Sequence, residues 1–326
     1  MLAARSGLYI LLVIAVAVGA GAYSLRAWGI FGCSATGYGS DSYLGYCQAT
    51  SYGDYDHGAI WFGLEPAAGS AAADAQVLFI GNSKMQFGFS AKATDQWFSS
   101  LSKSYYLLGF SHGENYTFEA PLLRKLRPKA KVYVINLDSF FERSETVPGK
   151  TVMEDGSSRT RYEEKQRWQG IHKKVCTTFK AVCGDEPAIF RSRSDGAWLT
   201  VGSGFKSEPV SYEEDIDQKM LASSIPLGKE FLSGLPVDRG CTLLTIVPTV
   251  KTDLGTAKAI AAALGLNFVE PRVPGLMTFD GSHLDPESAQ RWSAAFLETA
   301  GPQIQKCLSG QPDLHIEMAS ATVANR

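Results

Sequence analysis

From residue 77 onward, short apolar runs alternate with amphipathic stretches. Val77–Ile80, Tyr105–Phe110, Val132–Leu137, Thr242–Val247 and Leu266–Val269 have the length and near-continuous hydrophobicity of strands buried on both faces. Between them, Thr94 to Leu101 and Phe118 to Leu126 carry apolar residues at helical spacing. Lys251 to Leu264 is Ala-rich and ends at Gly265, a residue that stops helices. A last helix starts after Asp285, which can cap it, with Pro286 as the first helical residue and Glu287 adding negative charge to the first turn. Ala289, Trp292, Ala295, Phe296 and Ile304 form its apolar face. This alternation predicts an α/β domain over residues 76–310, with a parallel sheet covered by helices on both sides.

Three regions depart from the pattern. Residues 141–240 are charged and Gly/Ser-containing, without clean strand–helix units; they read as an insertion over the carboxyl edge of the sheet, with a helix expected at Ile225 to Leu235. Residues 31–75 are rich in Tyr and Gly and include Asp54 and His57. They read as a disulfide-closed loop packed on the domain or as a sugar-stacking surface, with Asp54 and His57 bordering the cleft. Ala67 to Ala73 reads as a flexible link. Residues 311–326 lack periodicity and read as a tail.

The first thirty residues change the picture. After Arg5, no charge interrupts Gly7 to Tyr23, close to the lower limit of about 17 residues for a membrane span. Ala20, Gly21 and Ala22 also offer a small-residue cleavage pattern. Membrane anchor and signal peptide are both open, and either one exports the domain, to the periplasm of a bacterial inner-membrane protein or to the extracellular space. The six cysteines agree with export. Cys33 with Cys47, Cys176 with Cys183 and Cys241 with Cys307 are the near pairs, although six cysteines allow fifteen pairings. There is no CxxC, and the five histidines are scattered, so no metal or other cofactor is expected. A net charge of −2 gives no reason to expect nucleic acid as a partner.

Candidate chemistry lies at the two ends of the domain. The run Val77 to Ile80 leads into Gly81, Asn82 and Ser83, so the serine stands at the carboxyl edge of the sheet, where open α/β folds place their sites. A serine hydroxyl becomes a useful nucleophile only when a base takes its proton and a third group orients that base. Phe279-Asp-Gly-Ser-His-Leu-Asp285 supplies Asp280 and His283, three residues apart, in a loop pinned by the helix that follows. His112, beside Gly113, is a competing base without an acid at comparable spacing. Ser83 as a helix N-cap, Asp280 as a turn former and His283 as a surface histidine are the plainer readings.

Gly81-Asn82-Ser83 after the first strand, with Asp280-Gly-Ser-His283 before the C-terminal helix, resembles the SGNH (GDSL-type) hydrolase family. The resemblance implies a three-layer, flavodoxin-like α/β/α fold with Ser83 as nucleophile, His283 as base and Asp280 as its orienting acid. It implies an oxyanion hole from the Ser83 N–H, a glycine after the second strand (Gly113, with Gly109 the alternative) and an asparagine after the third. There the family's Gly-x-Asn-Asp is replaced by Val134-Ile-Asn-Leu-Asp138, which leaves Asn136, Asn82 or Asn115 as the donor, or the hole incomplete. With an N-terminal anchor, the chain is similar to membrane-anchored SGNH-like proteins that modify cell-envelope polysaccharides. An esterase or O-acyltransferase acting on acyl, chiefly acetyl, esters of a carbohydrate is implied, with a multi-span membrane partner if the reaction is transfer. The alternative is a non-catalytic carbohydrate-binding or scaffold protein on the same fold.

Overall fold

The computed structural model describes residues 2–32, 43–47, 55–111, 113–184, 188–201 and 207–310. Its centre is a five-stranded sheet of β1 (Val77–Asn82), β2 (Tyr105–Phe110), β3 (Val132–Asn136), β4 (Thr242–Thr245) and β5 (Asn267–Phe268). The order is β5-β4-β3-β1-β2 and every pairing is parallel. β1 therefore lies inside the sheet, hydrogen-bonded on both sides. All six of its residues are buried, as its unbroken apolar run predicts.

Successive side chains of these strands feed two separate cores. Val77, Phe79, Leu107, Val134 and Leu243 point to one face. There they meet Met85 and Phe89 of α3 (Ser83–Phe89), Phe98 of α4 (Lys92–Ser100) and Trp292, Phe296 and Ile304 of α9 (Pro286–Ser309). Leu78, Ile80, Leu108, Tyr133 and Leu244 point to the other. That face packs on Phe118 and Leu122 of α5 (Tyr116–Leu126), Phe231 of α7 (Gln218–Ser233) and Ile260 and Leu264 of α8 (Leu254–Leu264). The expected α/β architecture with helices on both faces is present. The strands after β2 end earlier than their apolar runs, at Asn136, Thr245 and Phe268.

The N-terminal third departs further from expectation. Ala67 to Ala73 is not a link: Pro66–Asp74 is a helix with Ala68 and Ala72 fully buried, because small side chains let it lie close to the sheet. α2 (Tyr55–Trp61) is buried along nearly its whole length, so His57 lies in the interior and does not border a cleft. Its Gly58 faces the Tyr162 ring so closely that a Cβ would overlap it. Tyr162 belongs to α6 (Ser158–Thr178), one of the helices of the 141–240 insertion. The insertion also contributes Ala188–Ser192 and Trp198–Val201, which join Tyr43–Cys47 in an antiparallel sheet. Tyr162, Ile189 and Trp198 belong to the same core as β1.

α1 (Leu2–Ala27) carries the expected apolar span, Gly7–Ala27, 21 residues of mean hydropathy 2.2, exposed except where Ala22 and Leu25 near its end pack on the domain. At 1.5 Å per residue this is roughly 30 Å, the thickness of a bilayer core, a length and composition that suit a membrane anchor or a signal sequence. Arg26 donates to the Cys183 carbonyl at 2.6 Å, and Phe31 stacks on Trp168 of α6. Disulfides join Cys176 to Cys183 and Cys241 to Cys307, as two of the three near pairs require; they point to an extracytoplasmic domain. The pair Cys33 and Cys47, Asp54, His112 and the 311–326 tail fall on or include positions outside the described residues.

Candidate active site

The carboxyl end of β1 turns on Gly81, whose φ of +147° favours glycine and whose Cβ, if present, would stand 3.0 Å from that of Asn136. Asn82 then caps α3, its Oδ1 accepting from the Lys84 N–H at 3.0 Å. Because Asn82 takes the capping role, the neighbouring Ser83 hydroxyl has no such task. It lies 2.8 Å from Nε2 of His283, two hundred residues further along the chain.

The partner loop is held from several directions. Asp280 Oδ1 accepts from the N–H groups of Ser282 and His283, both at 2.9 Å, and Gly281 takes a positive φ of +83° between them. The Gly281 carbonyl accepts from the Val250 N–H, and the Phe279 N–H donates to the His283 carbonyl. Asp285 caps α9 through the Ser288 N–H at 2.7 Å, as its sequence position predicts. The remaining Asp280 oxygen, Oδ2, is 2.7 Å from His283 Nδ1. With Asp280 ionised, Nδ1–H donates to it and Nε2 is left to accept from Ser83 O–H.

Aromatic rings surround the imidazole. Phe279 stacks on it at 5.5 Å and Phe87 of α3 meets it at 4.6 Å, leaving the His283 side chain 18% exposed. Trp198, from the insertion, packs edge-on against Phe87. Burial lowers the His283 pKa; Asp280 opposes this, nearby Lys84 adds to it and Asp138 opposes it, with a net value below the usual histidine range. Partial burial opposes ionisation of Asp280, but the His283 hydrogen bond and charge and the two loop N–H groups hold its carboxyl below the usual range. The result is a neutral base beside an ionised carboxylate at neutral pH.

Asp138, near the end of the third strand, accepts from Asn82 Nδ2 at 2.9 Å and pairs with Lys84 Nζ at 2.8 Å. Asn136 occupies a different place from the one its motif suggests. It is fully buried, its Oδ1 accepts from the Val247 N–H at 3.0 Å, and its Nδ2 lies 3.4 Å from Asn82 Oδ1. Its amide is thus committed inside the sheet, beneath Asn82. Asn115 caps α5 and donates to Ser144, so it is committed as well. Gly113 lies in the exposed turn between β2 and α5 with φ +69°, and no hydrogen bond among the described residues ties it to Ser83. Gly109 is within β2, where a Cβ would strike the Asn82 carbonyl.

Behind the site lies a set of buried ionisable groups that spacing did not point to. His57 bridges Asp56 and Glu114 at 3.2 Å each. Arg191 donates to Asp56 at 2.9 Å, to the Leu107 carbonyl at 2.9 Å and to the Gly109 carbonyl. Gln86 of α3 donates to the same two carbonyls. Burial opposes the charge on Asp56, but His57 and Arg191 hold its carboxyl low. Burial likewise works against the charge on His57, and the hydrogen bonds and charges of Asp56 and Glu114 lift it to about 9. Glu119, fully buried nearby, is pushed well above the usual range by burial and by Glu114. The end of β2, next to the serine strand, therefore rests on charged groups from α2, the β2–α5 turn and the insertion. A lysine beside the serine was visible in the sequence as a possible pointer to the Lys84–Asp138 pair; nothing local marks Asp56, Glu114 or Arg191 as neighbours.

Comparison of the chain with family models, with curated proteins and with solved structures finds no match. Among the described residues, no group of His, Cys, Asp and Glu could hold a metal ion.

Proposed function

We propose that this chain is a serine esterase or O-acyltransferase of the SGNH type, acting outside the cytoplasmic membrane of a bacterium on acyl esters of an envelope carbohydrate. The observation that carries the reading is the continuous line of contacts Ser83–His283–Asp280, at 2.8 and 2.7 Å. An N-cap serine or a solvent-facing histidine has no need of both contacts. The parallel sheet and the position of Ser83 at its carboxyl edge support the flavodoxin-like SGNH arrangement.

In this mechanism His283 Nε2 takes the Ser83 proton as Oγ attacks the acyl carbonyl. Asp280 holds the Nδ1–H tautomer and stabilises the imidazolium that forms. The tetrahedral oxyanion is met by the Ser83 N–H and, in our assignment, by the Gly113 N–H; Asn136 is not assigned as a donor, because it is fully buried with its Nδ2 against Asn82 Oδ1. Collapse returns the proton from His283 to the departing alcohol and leaves an acyl-serine. Water resolves it in an esterase and a sugar hydroxyl in a transferase. With one candidate span among the described residues, a transferase of this kind requires a multi-span partner to deliver the acyl donor. No cofactor enters the scheme.

The purified protein is expected to hydrolyse p-nitrophenyl acetate, and a fluorophosphonate probe is expected to label Ser83. Equal turnover by wild type and Ser83→Ala, or labelling elsewhere, overturns the catalytic reading. It would favour the carbohydrate-binding or scaffold alternative, for which the commitment of Asn136 away from the oxyanion position is the supporting observation.

A further inference from the structure

On the sheet face opposite α9, a groove of about 610 Å³ runs between α5 and the C-terminal end of α7. That volume is within the range of about 300 to 1,000 Å³ typical of clefts that hold small ligands. Its walls are apolar, with Ala120 and Leu123 on one side and Phe231 and Leu235 on the other. It is separate from Ser83 in composition, sharing no residue with the surroundings of the triad.

One feature is costly unless something binds there, and a second supplies charge at the rim. Tyr133 lines the groove from β3; the residue is fully buried, and its hydroxyl has no hydrogen-bond partner among the described residues. A buried hydroxyl without a partner costs on the order of 1 to 3 kcal/mol. Burial pushes its pKa up to about 12, so it remains a donor. Arg124 and Arg127 also line the groove, and both are exposed. Neither has an ion-pair partner among the described residues; Glu230, the acidic residue of the lining, forms no salt bridge with them. A second cavity of about 630 Å³ shares Pro128, Leu235 and Pro236 with the groove and adds Lys129, Lys131 and Asp238. The trough is thus apolar inside, with a donor on its floor and cations along its margin.

We propose that this groove binds a single-chain anionic lipid: an acyl chain along the apolar walls, an ester oxygen accepting from Tyr133 O–H, and a phosphate between Arg124 and Arg127. Each part of that ligand answers one feature of the lining. A neutral lipid leaves the guanidinium pair unused, and a small phosphate leaves the apolar walls wet.

The test uses the full chain in phosphatidylcholine nanodiscs and a diazirine-bearing 16:0 lysophosphatidylglycerol as photoprobe. Saturable labelling is expected on peptides covering residues 116–127 and 230–236. It should be lost in Ala120→Trp, which fills the groove, and fall about tenfold in Arg124→Ala/Arg127→Ala, a change equivalent to about 1.4 kcal/mol. Ser83→Ala should label as wild type does, which separates this site from the proposed chemistry. Thermal unfolding of each variant in the same discs confirms that it is folded. Labelling confined to other peptides, or unchanged in Ala120→Trp, overturns the proposal. So does equal labelling by a neutral monoacylglycerol probe, or competition by glycerol phosphate as strong as that by the unlabelled lysolipid.

Discussion

Two constellations of ionisable groups flank the turn at Gly81, and they are built on different terms. Ser83, His283 and Asp280 lie at the sheet's edge, joined by two hydrogen bonds, with both titrating side chains partly exposed. Asp56, His57, Glu114, Glu119 and Arg191 lie within the protein, at most 1% exposed. At the first, water remains available to any group that loses its partner. At the second, an orphaned charge has no solvent to retreat to, so removing one member endangers the fold. The contrast separates groups placed for the proposed reaction from groups that hold its platform in place.

The largest expected effect tests the edge constellation. Ser83→Ala should reduce ester hydrolysis by about 10⁴-fold or more, with an unchanged melting temperature; a matching loss of stability would erase the distinction between the two regions. Next comes the interior. Arg191→Met takes the guanidinium from buried Asp56 and leaves the Leu107 and Gly109 carbonyls with Gln86 alone, and should cost roughly 3 to 5 kcal/mol in denaturant unfolding. A cost near zero would mean that the buried charges are individually dispensable.

The third prediction concerns pH. His57 is raised in the folded protein to about 9 from an ordinary 6.5, so the folded state holds its proton more tightly than the unfolded chain. Its stabilising contribution is complete below pH 6.5 and is lost as pH rises to about 9. Melting temperature should therefore decline across that window, and His57→Gln should flatten the decline. The smallest effect returns to the edge. His283 sits below its usual value, in part because of Lys84, so the acid limb of kcat/KM should fall below pH 6.5. Lys84→Met should move that limb upward by a fraction of a pH unit, with stability nearly unchanged because the Lys84–Asp138 pair is part-exposed.

Legibility followed the same division. The apolar runs located every strand of the central sheet, and Gly265, Asp285 and Pro286 marked helix ends where the structure has them. Ser83, His283 and Asp280 were legible because each sits in a local motif whose geometry neighbouring residues impose. The expectations that failed depended on distant partners. Ala67 to Ala73 looked like a link because small residues suit both flexible chain and close helix packing, and only the sheet beneath it selects the helix. His57 looked like a rim residue because a polar side chain is expected outside unless partners are known, and its partners come from positions 56 and 114. Asn136 looked like an oxyanion donor because its strand was known but its burial beneath Asn82 was not.

By itself, then, the sequence determined the strand–Gly–Asn–Ser turn, the capped loop that carries Asp280 and His283, and the alternation that builds a parallel sheet. Each rests on interactions within a few residues, where backbone geometry and capping chemistry act without reference to the rest of the chain. Tertiary structure alone decided that the Ser83 hydroxyl would meet His283 and that Asn136 would be committed inside the sheet. It also brought α2 and the insertion together behind the site. Buried charges are stable only in company, and that company comes from segments far apart in the chain, so its composition emerges only when the chain is folded.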